Sequence, residues 1–186
     1  MFLLLNLMNP ENFNALFEGL AAILGAVYIV LISKKRRLGW SFGIASCSIL
    51  TAICFHHEYY GQGIIQALNT LMGFYGWWAW NRPTSAGFSS PWPLVAALIV
   101  AAISYSGSFF FFPQEQWSIH LDHTALLLSC FATYLTVRMI YENWYLWLGI
   151  NALTCITAFH HEMYFFAGLS VVYLGLSFYG LYQWKK

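Results

Sequence analysis

The chain has 186 residues, of which 60% are hydrophobic and only 8% are charged, and its mean hydropathy is +0.60. About a quarter of the residues of a soluble domain are normally charged, so charge this sparse excludes a soluble globular protein of this length. The composition predicts an all-α integral membrane protein in contact with the lipid bilayer. No nucleic-acid partner and no cofactor are expected.

Seven apolar stretches are long enough to cross a bilayer as helices, for which about 20 residues are needed. In chain order they cover residues 14–33, 38–55, 61–80, 92–112, 121–140, 144–159 and 164–184. The sixth stretch is the shortest. Because the segments between them are too short to form a soluble domain, seven transmembrane helices are predicted to make up the chain.

The basic residues indicate how these helices are oriented. With seven crossings, all of them fall on one side of the membrane: Lys34, Lys35, Arg36, Arg37, Arg82, Arg138, Lys185 and Lys186. Since Lys and Arg are enriched in cytoplasmic loops, this side is predicted to be the cytoplasm. The N-terminus is then outside and the C-terminus inside. Most of the acids fall at the outer side: Glu11, Glu18, Glu58, Glu115, Asp122 and Glu162.

A His-His-Glu tripeptide occurs twice, and its copies at His56 and His160 are 104 residues apart. The same offset relates Trp40 to Trp144 and "FYG" at residues 74–76 to "FYG" at residues 178–180, without a gap. Such internal similarity indicates a repeated unit. A 3+1+3 arrangement is therefore predicted, with a first three-helix repeat over 14–80, a linker transmembrane helix over 92–112 and a second three-helix repeat over 121–184. The linker gives both repeats the same orientation, as in transporters whose substrate binds where parallel repeats meet.

The two tripeptides are predicted to form equivalent outer turns, and they admit three interpretations. They comprise His56, His57, Glu58, His160, His161 and Glu162. The first interpretation is a pair of polar turns without further chemistry. The second is a metal bridged by imidazole and carboxylate ligands, which would make the chain a metal-dependent membrane enzyme. The third is a gate or pH sensor, because imidazole titrates near neutral pH. No metal is assigned, and the six residues are predicted to belong to an outer vestibule or gate.

The sixth predicted helix reads "ENWYLWLGIN" and places Trp144, Trp147 and Asn151 on one face, at i, i+3 and i+7. Their counterparts 104 residues earlier are Trp40, Gly43 and Cys47. The second repeat thus carries a large indole and an amide at two positions where the first repeat carries the small residues Gly43 and Cys47. For Trp144 alone, the alternative is an anchor at the inner membrane interface, where Trp is enriched.

The third predicted helix carries two amides, Gln66 and Asn69, on one face, and the counterpart of Asn69 is Tyr173. Amides within a lipid span are costly unless they form hydrogen bonds, so they are expected to point inward. Aromatic faces combined with a few amides suit a flat aromatic or cationic ligand, through stacking and cation–π attraction.

Glu18 and Asp122 are a further pair related by the offset of 104 residues. With the other outer acids they would form a negative vestibule that concentrates a cationic solute before entry. One alternative is that both acids stabilise the first turn of a helix. Another is that one of them carries a proton in a symporter.

Three motifs resemble the Pnu family of vitamin transporters: "YGWWAWNR" at residues 75–82, Tyr60 followed by Gln66, and "ENWYLWLGIN" at residues 142–151. The resemblance covers about residues 18–184. It implies a fold like a full-length SWEET transporter, facilitated diffusion with the vitamin trapped by cytoplasmic phosphorylation, a homotrimer and the bacterial inner membrane. It also implies a substrate with a positively charged aromatic ring, and nicotinamide riboside is favoured over thiamine.

By match to the motifs of that family, Trp144, Trp147, Asn151 and Gln66 are expected to contact the substrate. The complete predicted substrate site consists of Tyr60, Gln66, Asn69, Trp144, Trp147, Asn151 and Tyr173.

Overall fold

The computed structural model describes residues 10–58, 60–81, 91–111 and 117–185. Within these ranges the chain forms seven α-helices and no β-strand. The helices are α1 (Pro10–Ser33), α2 (Gly39–His56), α3 (Tyr60–Ala79), α4 (Trp92–Phe111), α5 (Trp117–Val137), α6 (Asn143–His160) and α7 (Tyr164–Lys185). The predicted all-α class and the seven predicted helices are confirmed. Four features named in the sequence analysis lie outside the described residues: Arg82, Glu115, Lys186 and residue 112, the predicted end of the fourth helix.

Five helices begin and end within one residue of their predicted bounds, whereas α1 begins four residues earlier and α5 is displaced toward the N-terminus. The prediction for α5 omitted the polar segment that precedes Leu121. His120 is nevertheless fully buried in this helix, where its Nδ1 forms a hydrogen bond of 2.9 Å with the hydroxyl of Ser108 on α4. The other end of α5 is set by Met139, whose positive φ of 53° cannot continue a right-handed helix.

Three of the helices are long and apolar enough to cross a membrane by length and composition, over Leu16–Ser33, Gly39–His56 and Trp92–Phe110. The remaining four are 18–22 residues long, and two of them, α3 and α6, contain the amides of the predicted site. Asn69 on α3 and Asn151 on α6 lower the mean hydropathy of these two helices, and both bond to a neighbouring helix.

Six of the helices form a closed ring. Each packs against two neighbours, in the order α1, α2, α3, α5, α6, α7 and back to α1. In the described part of the chain, α1 does not pack against α3, and α5 does not pack against α7. Helix α4 lies outside the ring, mainly against α5. The first half (α1–α3) and the second half (α5–α7) therefore meet at two interfaces, α3–α5 and α1–α7, and the region that the six helices surround is here called the ring interior.

The turns between the helices have the same backbone form in both halves. Positive φ angles occur at pairs of residues 104 positions apart, at 54° and 53° in Lys35 and Met139, and at 63° and 58° in Glu58 and Glu162. The amide of Arg36 donates to the carbonyl oxygen 5 residues earlier at 2.9 Å, as the amide of Ile140 does in the second half. Such bonds define the Schellman motif that ends many helices. The turns 34–38 and 138–142 lie at one end of the ring, here called the basic end, and the His-His-Glu turns lie at the other, here called the acidic end.

Candidate functional site

Cys47 on α2 marks the centre of the ring. Its thiol lies near the side chains of Tyr28 on α1, Cys130 on α5 and Tyr173 on α7. Between the described residues, α2 does not pack against α5 or α7, so Cys47 reaches them only across the interior. Asn151 stands 104 residues later, at the equivalent place on α6. Since the two halves have matching contacts, Asn151 faces the same interior from the opposite side.

The side chain of Asn151 is buried and oriented by α7. Its Nδ2 donates to the hydroxyl of Ser177 at 3.1 Å, and that hydroxyl donates its own proton to the carbonyl oxygen of Tyr173 at 2.8 Å. Because the only proton of the serine is used, the amide must be the donor to it, and this fixes which way the amide group points. The oxygen of an asparagine can accept two hydrogen bonds. In Asn151 this oxygen makes none with another described residue, so it is available to a ligand in the ring.

Trp147 is half-buried, one turn closer to the basic end than Asn151. Its Nε1 donates to the hydroxyl of Thr136 at 3.4 Å, which is a long and weak bond. Its ring packs between the core of α5 and α6 and the tryptophans at the basic end. The indole therefore lies between two packed clusters without being firmly held by a hydrogen bond, so its ring could turn to stack on a flat ligand.

The space that the sequence predicts above Gly43, the counterpart of Trp147, is filled by Tyr28. The ring of Tyr28 lies 2.8 Å from the point that a Cβ of Gly43 would occupy. The counterpart of Tyr28 on α5 is Ala132. One half thus pairs an aromatic residue on its first helix with a small one on its second, and the other half does the reverse. The sequence reasoning missed Tyr28, although Ala132 at the same offset was a signal for it.

Asn69 and Tyr173 occupy equivalent positions and connect the halves at mid-ring. Asn69 Nδ2 donates to the hydroxyl of Ser129 at 3.2 Å, across the α3–α5 interface. The hydroxyl of Tyr173 donates to the carbonyl oxygen of Ala22 at 2.8 Å, across the α1–α7 interface. This hydroxyl would lie 2.6 Å from a Cβ on Gly25, the counterpart of Ser129, so the glycine makes room for the larger side chain. Both predicted residues are thus bound to protein groups in this state.

Gln66 and Tyr60 lie on α3 on the acidic side of Asn69. Gln66 is half-buried, and its side-chain amide makes no hydrogen bond with another described residue. Tyr60 is 58% exposed at the start of the helix, with its ring centroid 6.2 Å from that of Phe55. Since six residues of helix span about 9 Å, Tyr60 lies at the acidic end and apart from the interior residues.

Four tryptophans close the basic end of the ring. Trp40, Trp80, Trp144 and Trp184 are only 1%, 8%, 2% and 8% exposed, and together they are called the indole cluster. Ring centroids are 5.4 Å apart for Trp40 and Trp80, 5.5 Å for Trp144 and Trp184, and 6.4 Å for Trp80 and Trp184, which belong to different halves. Edge-to-face pairs at such distances stabilise a core by about 0.5–1.5 kcal/mol each beyond the area they bury. Trp144, a predicted substrate residue, lies in this cluster.

Glycines on the third helix of each half allow the indoles to pack this closely. A Cβ on Gly76 would lie 2.5 Å from the indole of Trp40. A Cβ on Gly180, the counterpart of Gly76, would overlap the ring of Trp144. Both contacts involve rigid ring atoms, so neither position accepts a side chain without displacing an indole.

Two indole N–H groups of the cluster are bonded across the halves, and two are not bonded. Trp80 Nε1 donates to the carbonyl oxygen of Val137 at 3.0 Å, and Trp184 Nε1 donates to that of Ile32 at 3.2 Å. Nε1 of Trp40 and of Trp144 is buried without a hydrogen-bond partner among the described residues. A bond of this kind stabilises by about 1 kcal/mol, whereas a buried donor left unbonded costs about 1–3 kcal/mol. The two unbonded Nε1 groups therefore destabilise the packed cluster relative to a state in which they could form hydrogen bonds.

The His-His-Glu residues form exposed turns at the acidic end. Glu58 and Glu162 take the positive φ that ends α2 and α6, and each is preceded by two exposed histidines. The ring centroids of the paired histidines are 5.3 Å apart in the first half and 5.4 Å in the second. His160 also lies 4.7 Å from the ring of Trp117. No group of three or more metal-ligating side chains converges anywhere in the described ranges, so the geometry gives the metal-enzyme alternative no support.

Glu18 and Asp122 are half-buried near the acidic ends of α1 and α5. Glu18 lies near Cys54 on α2. With the exposed carboxylates of Glu58 and Glu162, these two acids place four negative groups at or near the acidic end. Such a charge distribution attracts cations from solution.

A groove of about 310 Å³ lies between α2 and α3, lined by Ser48, Thr51, Ala67, Thr70 and Leu71. The hydroxyls of Thr51 and Thr70 donate to carbonyl oxygens of their own helices, at 2.7 and 3.0 Å. These hydroxyl protons are therefore engaged, and none of the predicted substrate residues lines the groove. The ring interior remains the better candidate for a polar ligand.

Comparison with known proteins agrees with this arrangement. The sequence profile of the family described as "Nicotinamide mononucleotide transporter" matches residues 15–186. The nicotinamide riboside transporter PnuC of Neisseria mucosa is 25% identical over 202 residues, which cover 96% of this chain and 74% of that protein. The riboflavin/roseoflavin transporter RibM of Streptomyces davaonensis is 23% identical over 173 residues, which cover 87% of this chain and 81% of that one. The crystal structure of the vitamin B3 transporter PnuC has the same fold, with a TM-score of 0.71 at 19% identity over 98% of this chain and 84% of that chain.

Proposed function

Because the chain belongs to the nicotinamide mononucleotide transporter family, we propose that it takes up a flat, cationic aromatic vitamin by facilitated diffusion. Because it belongs to this family, the chain is a membrane transporter and not an enzyme. We propose nicotinamide riboside as the substrate, which is supported by the relative from Neisseria mucosa that is named for it. Thiamine was the alternative from the sequence, but neither relative described above is named for it. The riboflavin relative makes a larger flat ring the second candidate.

The proposed architecture is two parallel three-helix repeats joined by α4, over residues 14–80, 92–112 and 121–184, with all seven helices crossing the bacterial inner membrane. Two observations support it: the turns have matching backbone angles 104 residues apart, and the α3–α5 interface corresponds to the α1–α7 interface. Three helices that each cross once leave the chain on the opposite side, so α4 is needed to return it. The basic end is proposed to face the cytoplasm, by the distribution of Lys and Arg.

The proposed site is the ring interior, and the observation that carries it is the position of Asn151. Its carbonyl oxygen makes no hydrogen bond with another described residue, the half-buried Trp147 lies one turn away on the same helix, and its counterpart Cys47 lies near Tyr28 in the other half. An indole face stacks on a flat ring and attracts its positive charge, and the amide oxygen accepts a hydrogen bond from the ligand. Gln66 would provide a second amide.

At the acidic end, Glu18, Asp122 and the two His-His-Glu turns are proposed to form the outer vestibule. Its role would be to raise the local concentration of a cation and not to coordinate a metal. No group for energy coupling is proposed, so the substrate would equilibrate across the membrane and be retained by cytoplasmic phosphorylation. A homotrimer is proposed on the resemblance of the sequence alone.

Titration calorimetry on the detergent-purified protein with nicotinamide riboside, riboflavin and thiamine in parallel tests the substrate. Trp147→Ala and Asn151→Ala should each weaken binding by about 5- to 30-fold, because stacking and a hydrogen bond each contribute about 1–2 kcal/mol in a dry site. Trp78→Ala is the matched control, since Trp78 is 55% exposed on the outside of α3. Unaltered affinity in both interior variants would remove the ring interior as the site.

Uptake into liposomes separates facilitated diffusion from proton coupling. With vitamin inside and outside at equal concentration, an imposed inward proton gradient should produce no accumulation. Accumulation under that gradient, lost in Glu18→Gln or Asp122→Asn, would replace the facilitator by a symporter.

A further inference from the structure

The two halves meet at the basic end through the indole cluster, by one ring contact and two hydrogen bonds that cross between them. We propose that the indole cluster is the inner gate of the transporter, and that this structure is the state in which the gate is shut. The inference rests on the proposed transport function and adds to it the moving part, the contacts that hold it shut and the place about which the halves pivot.

The cluster lies directly on the path from the site to the basic end. Helix α6 runs from the basic end toward the acidic end and carries Trp144, Trp147 and Asn151 in that order. Seven residues of helix span about 10 Å, so a ligand at Asn151 meets Trp147 first and the buried ring of Trp144 next. Trp144 is 2% exposed and packed on Trp184. A vitamin can leave by this end only when the indoles separate.

The gate is held shut by two hydrogen bonds that cross between the halves in opposite directions. Trp80 of the first half donates to Val137 of the second, and Trp184 of the second half donates to Ile32 of the first. Each indole stands at the end of the third helix of its half, and each acceptor at the end of the first helix of the other. Separating the halves at the basic end therefore breaks both bonds together with the contact between Trp80 and Trp184.

The bonds at mid-ring define where the halves stay joined during this movement. Asn69 bonds to Ser129 and Tyr173 bonds to Ala22, one at each interface between the halves. Asn69 lies eleven residues before Trp80, and Tyr173 lies eleven residues before Trp184, which is about 16 Å along each helix. A small rotation about this level would separate the indoles while the mid-ring bonds persist.

One feature favours opening and so keeps the gate reversible. The Nε1 groups of Trp40 and Trp144 are buried without a hydrogen-bond partner in the described part of the chain. Opening gives both donors access to water, which offsets the loss of the two bonds between the halves.

Labelling of Cys47 from the basic side measures opening directly. The protein would carry Cys47 as its only thiol, with Cys54, Cys130 and Cys155 replaced by Ser, in inverted membrane vesicles exposed to a membrane-impermeant maleimide. Trp80→Phe and Trp184→Phe keep an aromatic ring but remove the N–H donor. Each should raise the labelling rate about fivefold, the equivalent of one hydrogen bond, and the double variant should raise it about 25-fold. Trp78→Phe on the outside of α3 should leave the rate unchanged.

The gate would be overturned if neither Trp80→Phe nor Trp184→Phe raised the labelling rate above that of the parent protein. It would also be overturned if Trp78→Phe raised the rate as much as they do. Gly180→Ala provides a second perturbation that leaves every donor in place, and displacement of Trp144 by the new methyl group must also accelerate labelling. The readout does not depend on substrate. If no vitamin binds, the proposed function fails while the labelling rates still decide whether the indole cluster opens.

Discussion

Replacing Gly180 by Ala would place a methyl group inside the volume of the Trp144 ring. Three atoms of that indole are closer to the position of the new Cβ than any real Cβ contact allows. The ring packs on Trp184 at 5.5 Å and is 2% exposed, so it can move only by disturbing its neighbours. Overpacking of this kind costs about 1–3 kcal/mol. The higher helix propensity of alanine recovers at most about 1 kcal/mol, so the net change is a destabilisation of about 0–2 kcal/mol.

Gly175→Ala on the same helix is the matched control. A Cβ at Gly175 would have nothing within 4 Å, so only the propensity term applies and the variant should be neutral or slightly more stable. The expected difference between the two variants is therefore about 1–3 kcal/mol. At about 2–4 °C per kcal/mol for a chain of this size, Gly180→Ala should unfold at a temperature about 2–12 °C below that of Gly175→Ala. Thermal unfolding in detergent, followed by near-ultraviolet circular dichroism of the tryptophans, measures this difference.

A double-mutant cycle with Trp144→Leu tests the cause. If the clash with the indole is responsible, Gly180→Ala should lose its cost relative to Gly175→Ala once the ring is absent. An equal cost with and without the ring would refute the steric account, as would unfolding of Gly180→Ala and Gly175→Ala at the same temperature.

Four further variants test other parts of the ring. Tyr28→Ala should lower the free energy of unfolding by about 3 kcal/mol, since it leaves a cavity above a glycine, whereas Tyr28→Phe should change it by less than about 1 kcal/mol; thermal unfolding distinguishes them. Tyr173→Phe should cost about 1 kcal/mol through loss of the bond to Ala22, and no change in unfolding temperature would contradict the bond. The double variant Glu18→Gln and Asp122→Asn should reduce initial uptake of a cationic vitamin by about fourfold at low ionic strength, or about twofold per acid, and hardly at high salt. A reduction that salt does not diminish would contradict electrostatic steering.

The sequence by itself determined where the helices lie and which positions correspond between the halves. Apolar runs of about 20 residues separated by short polar turns leave the backbone little choice other than helices, because unbonded peptide groups are too costly in lipid. The same local chemistry determined the turns: Lys35 and Met139, related by the offset of 104 residues, take the same backbone conformation. It also placed Trp147 and Asn151 on one face, since residues four apart on a helix share a side.

Only the tertiary structure decided which face of each helix is turned inward and what fills the interior. The ring order follows from packing between helices far apart in the chain, and no local pattern encodes it. For that reason Tyr28 could occupy the space that Gly43 leaves on a neighbouring helix, and four tryptophans that individually resemble interface anchors could meet in one cluster. A side chain's own helix sets its direction, but its neighbours are set by the helices that pack against it.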